Sequence, residues 1–225
     1  MITTTYRPSP VVRVRPWLAL VSAAAVAVAA YLALVWAPPD AVQGDVQRIM
    51  YVHVPSAWLA YLAFVVVFIA SVGWLWSNRT WWDALAVASA EIGVLFCGLA
   101  LLTGAIWAKP TWGVWWTWEP RLLTTAVMFS MYLGYLLLRS LSSDRRLRAT
   151  RAAVIGIVAV VNVPIVHLSV TWMNSLHQLP SVLRPGPPAL DGRMYATLLA
   201  AVLAFTVLYL YLLAERVQLE LHRAR

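Results

Sequence analysis

Cysteine and acidic residues are scarce in this sequence. Its 225 residues include one cysteine, Cys97, and nine aspartates and glutamates against 17 lysines and arginines. One cysteine cannot form a disulfide within the chain. Because Cys97 lies inside an apolar run, we predict that it is a small apolar packing residue.

Motifs for nucleotide binding and for catalysis are also missing. The sequence contains no G-x-x-x-x-G-K-[ST] phosphate loop, so the chain cannot by itself be an ordinary P-loop ATPase. It has no internal repeat, no low-complexity tract and no segment that predicts a separate soluble domain. No nucleophile and base occur together, and no redox motif is present, so the sequence does not predict an enzyme.

Long apolar runs make up most of the chain. Hydrophobic residues account for 62% and charged residues for 12%, a balance outside the range of ordinary soluble domains. A bilayer core of roughly 30 Å requires about 20 apolar residues in a helix. Six runs reach or approach this length, and they are apolar on all faces: 17–37, 54–76, 84–107, 122–138, 152–170 and 194–214. The sequence therefore predicts a single membrane domain over residues 1–225, an all-α integral membrane protein with six transmembrane helices.

Basic residues are divided unequally between the connections. Twelve of the 17 lie in the two termini and in the turns after the second and fourth runs, and five lie in the other three connections. Since basic residues mark the cytoplasmic side, we predict that both termini are cytoplasmic. The net charge of +8 is thereby explained as a topology signal, and we expect no nucleic-acid partner. The first run exceeds the usual core of a signal peptide, about 7–15 residues, so we predict that it is retained.

The outer connections, 38–53, 108–121 and 171–193, carry most of the unusual residues. Residues 109–121 read KPTWGVWWTWEPR and include Trp112, Trp115, Trp116 and Trp118. An aromatic belt at the membrane interface explains tryptophans at such a depth, but a belt spreads its rings over many helix ends. Four indoles in one short loop, with Gly113 between them, are also typical of a surface that stacks on a large flat apolar ligand. Both interpretations stay open at this point.

Two histidines lie in the outer connections on either side of this loop. They are His53 and His177. Neutral imidazole is a common ligand of iron, and two imidazoles on opposite faces can hold a haem. Either histidine alone could be a polar residue at a helix end, whereas two of them beside a tryptophan loop favour a porphyrin. We predict that His167 is a buried, hydrogen-bonded residue that supports the site and that His222 is solvated. The C-x-x-C-H pattern for covalent haem attachment is absent.

Three segments together resemble one known family. Residues 112–121 resemble the tryptophan-rich signature, called the WWD domain, of haem-handling proteins in cytochrome c biogenesis. Residues 47–58, QRIMYVHVPSAW, and 162–178, NVPIVHLSVTWMNSLHQ, resemble the two histidine-bearing segments of the CcmC family, the haem exporter protein C family of the system I maturation pathway. The size and the six-span plan match as well, so the resemblance covers nearly the whole chain.

The resemblance implies a haem-binding and transfer subunit that is not an enzyme. It places the chain in the bacterial cytoplasmic (inner) membrane with the site facing the periplasm. It implies that His53 and His177 are axial ligands of a transiently bound haem b. The implied binding surface comprises Trp112, Gly113, Trp115, Trp116, Trp118, Glu119 and Arg121.

The same resemblance implies partner proteins, and the chain differs from the family pattern at one position. The implied partners are a CcmE-like haem chaperone, CcmA-like and CcmB-like subunits of an ABC transporter, a small CcmD-like membrane protein and membrane lipid. The ATPase would be a separate chain, which agrees with the missing phosphate loop. The family usually has aspartate where this chain has Glu119, so the carboxylate is kept with one more methylene.

The sequence indicates a functional role less strongly for three charged residues. Arg121 and Lys109 flank the tryptophans and could pair with haem propionates or with lipid headgroups, and both readings stay open. Glu91 lies inside the third apolar run, where an acid is costly, so we predict that it is protonated or hydrogen-bonded toward the bundle interior. Asn162 and Tyr132 are its candidate partners by depth.

Other functions also stay open from the sequence alone. A haem b electron-transfer subunit would usually bury paired histidines within its spans and would show quinol-reducing activity. A haem lyase, which attaches haem to apocytochrome, would usually be larger and carry further histidine-bearing spans. A pore for haem itself is a third possibility.

Overall fold

The computed structural model describes residues 10–178, 182, 186–187 and 189–223. This part of the chain contains seven α-helices and no β-strand. The helices are α1 (Pro10–Tyr31), α2 (Met50–Ser77), α3 (Thr80–Trp112), α4 (Pro120–Ser140), α5 (Arg145–Ala159), α6 (Asn162–Trp172) and α7 (Gly192–Arg223). A π-helical turn, Leu32–Trp36, extends α1, and a 3-10 helix, Asp45–Ile49, leads into α2.

Six helical stretches of the described residues are long and apolar enough to cross a membrane, α5 and α6 forming one of them. The prediction of a six-span, all-α membrane protein is confirmed. Several helices continue beyond the apolar runs, because helical hydrogen bonding does not stop where the sequence becomes polar. α2 begins at Met50, so His53 lies in its first turn, and α3 continues to Trp112. The tryptophan-rich connection is therefore only 113–119.

The fifth span is interrupted between α5 and α6. The N–H of Val161 bonds the carbonyl of Val158 at 3.3 Å, in a turn tighter than an α-helix. Pro164 follows, and it has no N–H with which to bond the carbonyl of Val160. The side-chain amide of Asn162 donates to the carbonyl of Thr124 at 2.9 Å. This bond ties the interruption to α4, so α6 and the segment after it are held beside the first turns of α4.

α2 and α3 form a closely packed antiparallel pair at the centre of the bundle. Asn78 ends α2 in the left-handed conformation, with φ of 52°, and the chain turns back at once into α3. A Cβ at Gly93 would lie 2.5 Å from a ring carbon of Phe64, so glycine permits the close approach of the two helices. Phe64 in turn stacks on Tyr132 of α4, with ring centroids 3.5 Å apart. α7 packs beside this pair, and α1 packs on α7 through alanines.

Glu91 has a different partner from those predicted. The Nε of Arg216, in α7, donates to Oε2 of Glu91 at 2.7 Å, and Arg216 also bonds Glu220. The predicted partners were wrong, since Asn162 bonds Thr124 and Tyr132 stacks on Phe64. The sequence indicated the depth of Glu91 but not that α7 continues as a helix far enough to bring Arg216 beside it.

Candidate functional site

A cleft of about 180 Å³ lies at the end of the bundle where α3 ends and α4 begins. It is lined by Gln43, His53, Gly104, Trp107, Ala108, Thr111, Trp112, Leu122, Leu176, His177 and Gln178. The fold thus brings His53, His177 and Trp112, the first tryptophan of the loop, to one place. Sites for drug-sized ligands usually measure about 300–1,000 Å³, so this cleft is smaller than a site that encloses a whole ligand of that size.

His53 is oriented by a hydrogen bond to α3. Its Nδ1 lies 3.1 Å from the Oγ1 of Thr103. The hydroxyl of Thr103 uses its single proton to bond the carbonyl of Leu99 at 2.7 Å, so the oxygen can only accept from the imidazole. His53 is therefore the tautomer with Nδ1–H, and its Nε2 carries the free lone pair. This arrangement is typical of histidines that ligate metals.

Two further contacts hold the ring of His53. A Cβ at Gly104 would lie 3.0 Å from its Cε1, so glycine lets the ring lie against the α3 backbone. Trp107 packs against it at right angles, with ring centroids 5.8 Å apart and planes at 78°. The indole N–H of Trp107 donates to the side-chain oxygen of Gln43 at 2.7 Å. The tryptophan that contacts His53 is thereby itself fixed.

His177 lies in the irregular segment after α6. Its Nδ1 lies 3.0 Å from the carbonyl oxygen of Gln178, which can only accept, so Nδ1 carries the proton and Nε2 is free. Burial lowers the pKa of His177 below its ordinary value, and the positive charge of Arg121 lowers it further. The imidazole is therefore neutral at pH 7, which is the form that ligates iron.

Glu119 connects α4 to the segment that carries His177. Its Oε1 accepts the N–H of Leu122 at 2.8 Å, which caps the first turn of α4. Its Oε2 accepts the hydroxyl of Ser175, whose oxygen accepts the N–H of His177 at 3.1 Å. The carboxylate is 6% exposed and does not line the cleft. Glu119 is thus linked through Ser175 to the main-chain N–H of His177, a predicted ligand.

The four tryptophans of the loop occupy different environments. Trp112, at the end of α3, lines the cleft, and Gly113 then ends the helix with φ of 80°. Trp116 and Trp118 pack edge to face, with ring centroids 5.8 Å apart, and Trp118 is 79% exposed. Trp115 is also exposed. The last three lie on the connection 113–119 and are not among the residues that line the cleft.

Lys109 and Arg121 each bond a nearby carbonyl. The Nζ of Lys109 donates to the carbonyl of Gly113 at 3.0 Å, at the end of α3. The Nη2 of Arg121 donates to the carbonyl of His167 at 2.9 Å. Arg121 keeps further N–H donors, because a guanidinium has five.

The side chain of His167 is exposed, so the prediction that it is buried was wrong. Its ring packs at right angles to Tyr61, with ring centroids 6.4 Å apart. The buried face of α6 includes Val166 and Val170. His167 follows Val166 by one residue and is therefore turned away by about 100°. The sequence indicated the depth of His167 in the membrane but not the face of the helix on which it lies.

The family model and the relatives that match this chain carry the same description. The family model described as heme exporter protein C matches residues 5–225. The chain belongs to the haem exporter protein C family. It is 40% identical over 213 residues to heme exporter protein C of Bradyrhizobium diazoefficiens, covering 95% of this chain and 81% of that protein. It is 41% identical over 189 residues to heme exporter protein C of Haemophilus influenzae, covering 84% and 76%.

A third relative, heme exporter protein C of Escherichia coli, is 40% identical over 165 residues, which cover 72% of this chain and 66% of that protein. Family membership confirms the resemblance drawn from the three sequence segments. The ligand and surface roles of individual residues remain predictions.

Several residues at the cleft were not predicted from the sequence. Gly104, Ala108 and Thr111 line it on α3, and Thr103 and Ser175 bond the two histidines. The α3 residues recur every three or four positions up to Trp112, so one helical face leading to the tryptophan loop was a usable signal. No such signal exists for Ser175, because its contact with Glu119 joins residues 56 apart.

Proposed function

We propose that this chain binds haem at the outer face of the membrane and passes it to a CcmE-like chaperone for cytochrome c maturation. The observation that carries the proposal is one cleft lined by both His53 and His177, each with a free Nε2. A porphyrin supplies four nitrogen ligands of its own, so two imidazoles complete the coordination of its iron. Membership of a family named for haem export supports the same cargo.

The cleft suits transient binding. It is smaller than a site that encloses a whole ligand, so one edge of the haem would stay accessible to an acceptor protein. The indoles of Trp115 and Trp118 are exposed on the connection that follows Trp112, which lines the cleft, and they would stack on apolar ring surface. Arg121, which keeps free donors, would bind a propionate, and a guanidinium suits that carboxylate. Haem b is thus the cargo that these side chains hold and release.

Energy for release comes, in this proposal, from other chains. No phosphate loop is present in the sequence, so an ATPase subunit must supply it. CcmA-like and CcmB-like transporter subunits and a small CcmD-like membrane protein would form the complex in the bacterial cytoplasmic membrane. The unequal division of basic residues supports a cleft that faces the periplasm.

Cysteine labelling tests this orientation. In a chain with Cys97→Ala, a cysteine replacing Trp115 should react with a membrane-impermeant maleimide in intact cells. A cysteine replacing Arg146, in α5, should react only after the cells are opened. Position 185, also predicted to be outside, lies beyond the described residues and gives a second outer probe. Labelling of position 146 in intact cells would reverse the orientation and contradict the proposed function.

A transfer assay tests the function itself. Purified protein loaded with haem should give it up to a purified CcmE-type chaperone, seen as haem that migrates with the chaperone. Replacing Trp115 and Trp116 with alanine should lower haem occupancy by roughly ten-fold, because each aromatic contact contributes about 0.5–1.5 kcal/mol. The spectrum of the remaining haem should keep its two-imidazole form, since both ligands are intact.

Trp76→Ala is the matched control, because Trp76 is an exposed tryptophan near the other end of α2. It should bind and transfer haem as the parent protein does. Failure of the parent protein to transfer haem, combined with quinol-reducing activity, would favour the electron-transfer alternative.

A further inference from the structure

Ser175 lies between a buried carboxylate and the backbone of His177. Its oxygen accepts the N–H of His177 at 3.1 Å, and its hydroxyl bonds Oε2 of Glu119. A backbone N–H can only donate and a carboxylate can only accept, so the direction of both bonds is fixed. A continuous chain of hydrogen bonds therefore runs from His177 through Ser175 to Glu119.

The Glu119 end of this chain is anchored. Its other oxygen caps α4 through the N–H of Leu122, and α4 is packed within the bundle. The His177 end is different. α6 ends at Trp172, and no helix or strand fixes the backbone of the described residues 173–178 that follow. The hydroxyl of Ser175 thus connects an irregular segment to a rigid element.

We propose that Ser175 is a positioning residue for the iron ligand His177 and that Glu119 acts on this ligand through it. The inference rests on the proposed function, because it takes His177 to be an axial ligand. A ligand must be held close to its productive geometry, and residues that orient ligands typically change affinity by roughly 10–100-fold. Ser175 does so through the main chain, while the carbonyl of Gln178 orients the ring.

Glu119 has two roles, as the N-cap of α4 and as the acceptor of the Ser175 hydroxyl, and a shorter side chain should keep only the first. Aspartate is a good N-cap, so Glu119→Asp should still cap α4. Its carboxylate is shorter by one carbon–carbon bond, so it should no longer reach Ser175. The extra methylene of glutamate lets the carboxylate reach Ser175 in the segment that carries His177. Glu119→Asp therefore tests the bond to Ser175 without removing the helix cap.

The experiment compares spectra of purified, haem-loaded variants. Ser175→Ala should shift the absorption and electron paramagnetic resonance spectra from the two-imidazole form toward that of His177→Ala and lower haem affinity by roughly ten-fold, the low end of the range for groups that orient ligands. Ser175→Thr keeps the hydroxyl and should restore the parent spectrum. Glu119→Asp should resemble Ser175→Ala. Ser130→Ala is the matched control and should match the parent, because this exposed serine bonds the Ala126 carbonyl of its own helix at 2.9 Å and no other group among the described residues.

The outcomes separate the inference from the function. A parent-like spectrum for Ser175→Ala, with an altered spectrum for His177→Ala, would overturn the positioning role and leave the function standing. An unchanged spectrum for His177→Ala would overturn the ligand assignment and the inference with it. If Ser175→Ala does not fold, Glu119→Asp, which retains both the serine and the cap, decides the question by the same spectra.

Discussion

Replacing both His53 and His177 with alanine is expected to remove nearly all specific haem binding. Both imidazoles line the same cleft, so a single replacement would leave the other ligand together with the aromatic contacts. Loss of a group that only orients a ligand costs roughly 10–100-fold in affinity, so loss of both ligands should cost more than a hundred-fold. What remains is stacking, which is not directional and does not select iron.

Titration of haem into the purified protein measures this effect. The single variants should retain some haem with altered spectra, and the double variant should show only weak, unsaturable binding. His222→Ala is the matched control, since this histidine lies in the last turn of α7 and bonds the carbonyl of Gln218. A double variant with an unchanged two-imidazole spectrum would mean that His167 or a partner chain supplies the ligand.

Replacing Arg139 with alanine is expected to lower the free energy of unfolding by about 3–5 kcal/mol. Arg139, in the last turn of α4, bonds both oxygens of Asp83, at 2.6 and 3.0 Å. The two side chains are only 9% and 14% exposed, and the guanidinium lies over the ring of Tyr135. Removing the arginine leaves an unpaired carboxylate in a poorly solvated place, which typically costs about 3–5 kcal/mol.

Unfolding in mixed detergent micelles, followed by circular dichroism, measures the change. Arg146→Ala, at an exposed arginine of α5, is the control and should change the free energy of unfolding by about 0.5 kcal/mol or less. The double variant Asp83→Asn with Arg139→Met should recover much of the loss, because no charge is then left unpaired. If the Arg139→Ala variant is as stable as the parent protein, the ion pair contributes nothing to stability.

The membrane-spanning part of the fold could be predicted because it depends on one quantity. A bilayer requires about 20 apolar residues for each helix, and the six runs meet or approach that length without any knowledge of their neighbours. The ends of the helices were less predictable. Trp112 belongs to α3 and His53 to α2, because backbone hydrogen bonds continue into polar flanking sequence.

The meeting of the two histidines could be anticipated in the same way. Alternation of six spans brings the connections that carry His53 and His177 to one end of the bundle, and the cleft contains both. Depth alone was not sufficient elsewhere. His167 was predicted to be buried and is exposed. Asn162 and Tyr132 were the candidate partners of Glu91 by depth, and Glu91 bonds Arg216 instead. Depth does not give the rotation of a helix about its axis, and rotation decides which side chains meet.

The sequence by itself determined the membrane class, the number of spans, the family and the end of the bundle that carries the unusual chemistry, because these follow from hydrophobic length and from local motifs. Only the tertiary structure decided which groups support the histidines. Thr103 lies 50 residues from His53, and Ser175 lies 56 residues from Glu119. A hydrogen bond requires its two atoms to lie within about 3 Å of each other. Such a distance is set by how helices pack, through contacts such as that of Gly104 with His53, and no local pattern in the chain encodes it.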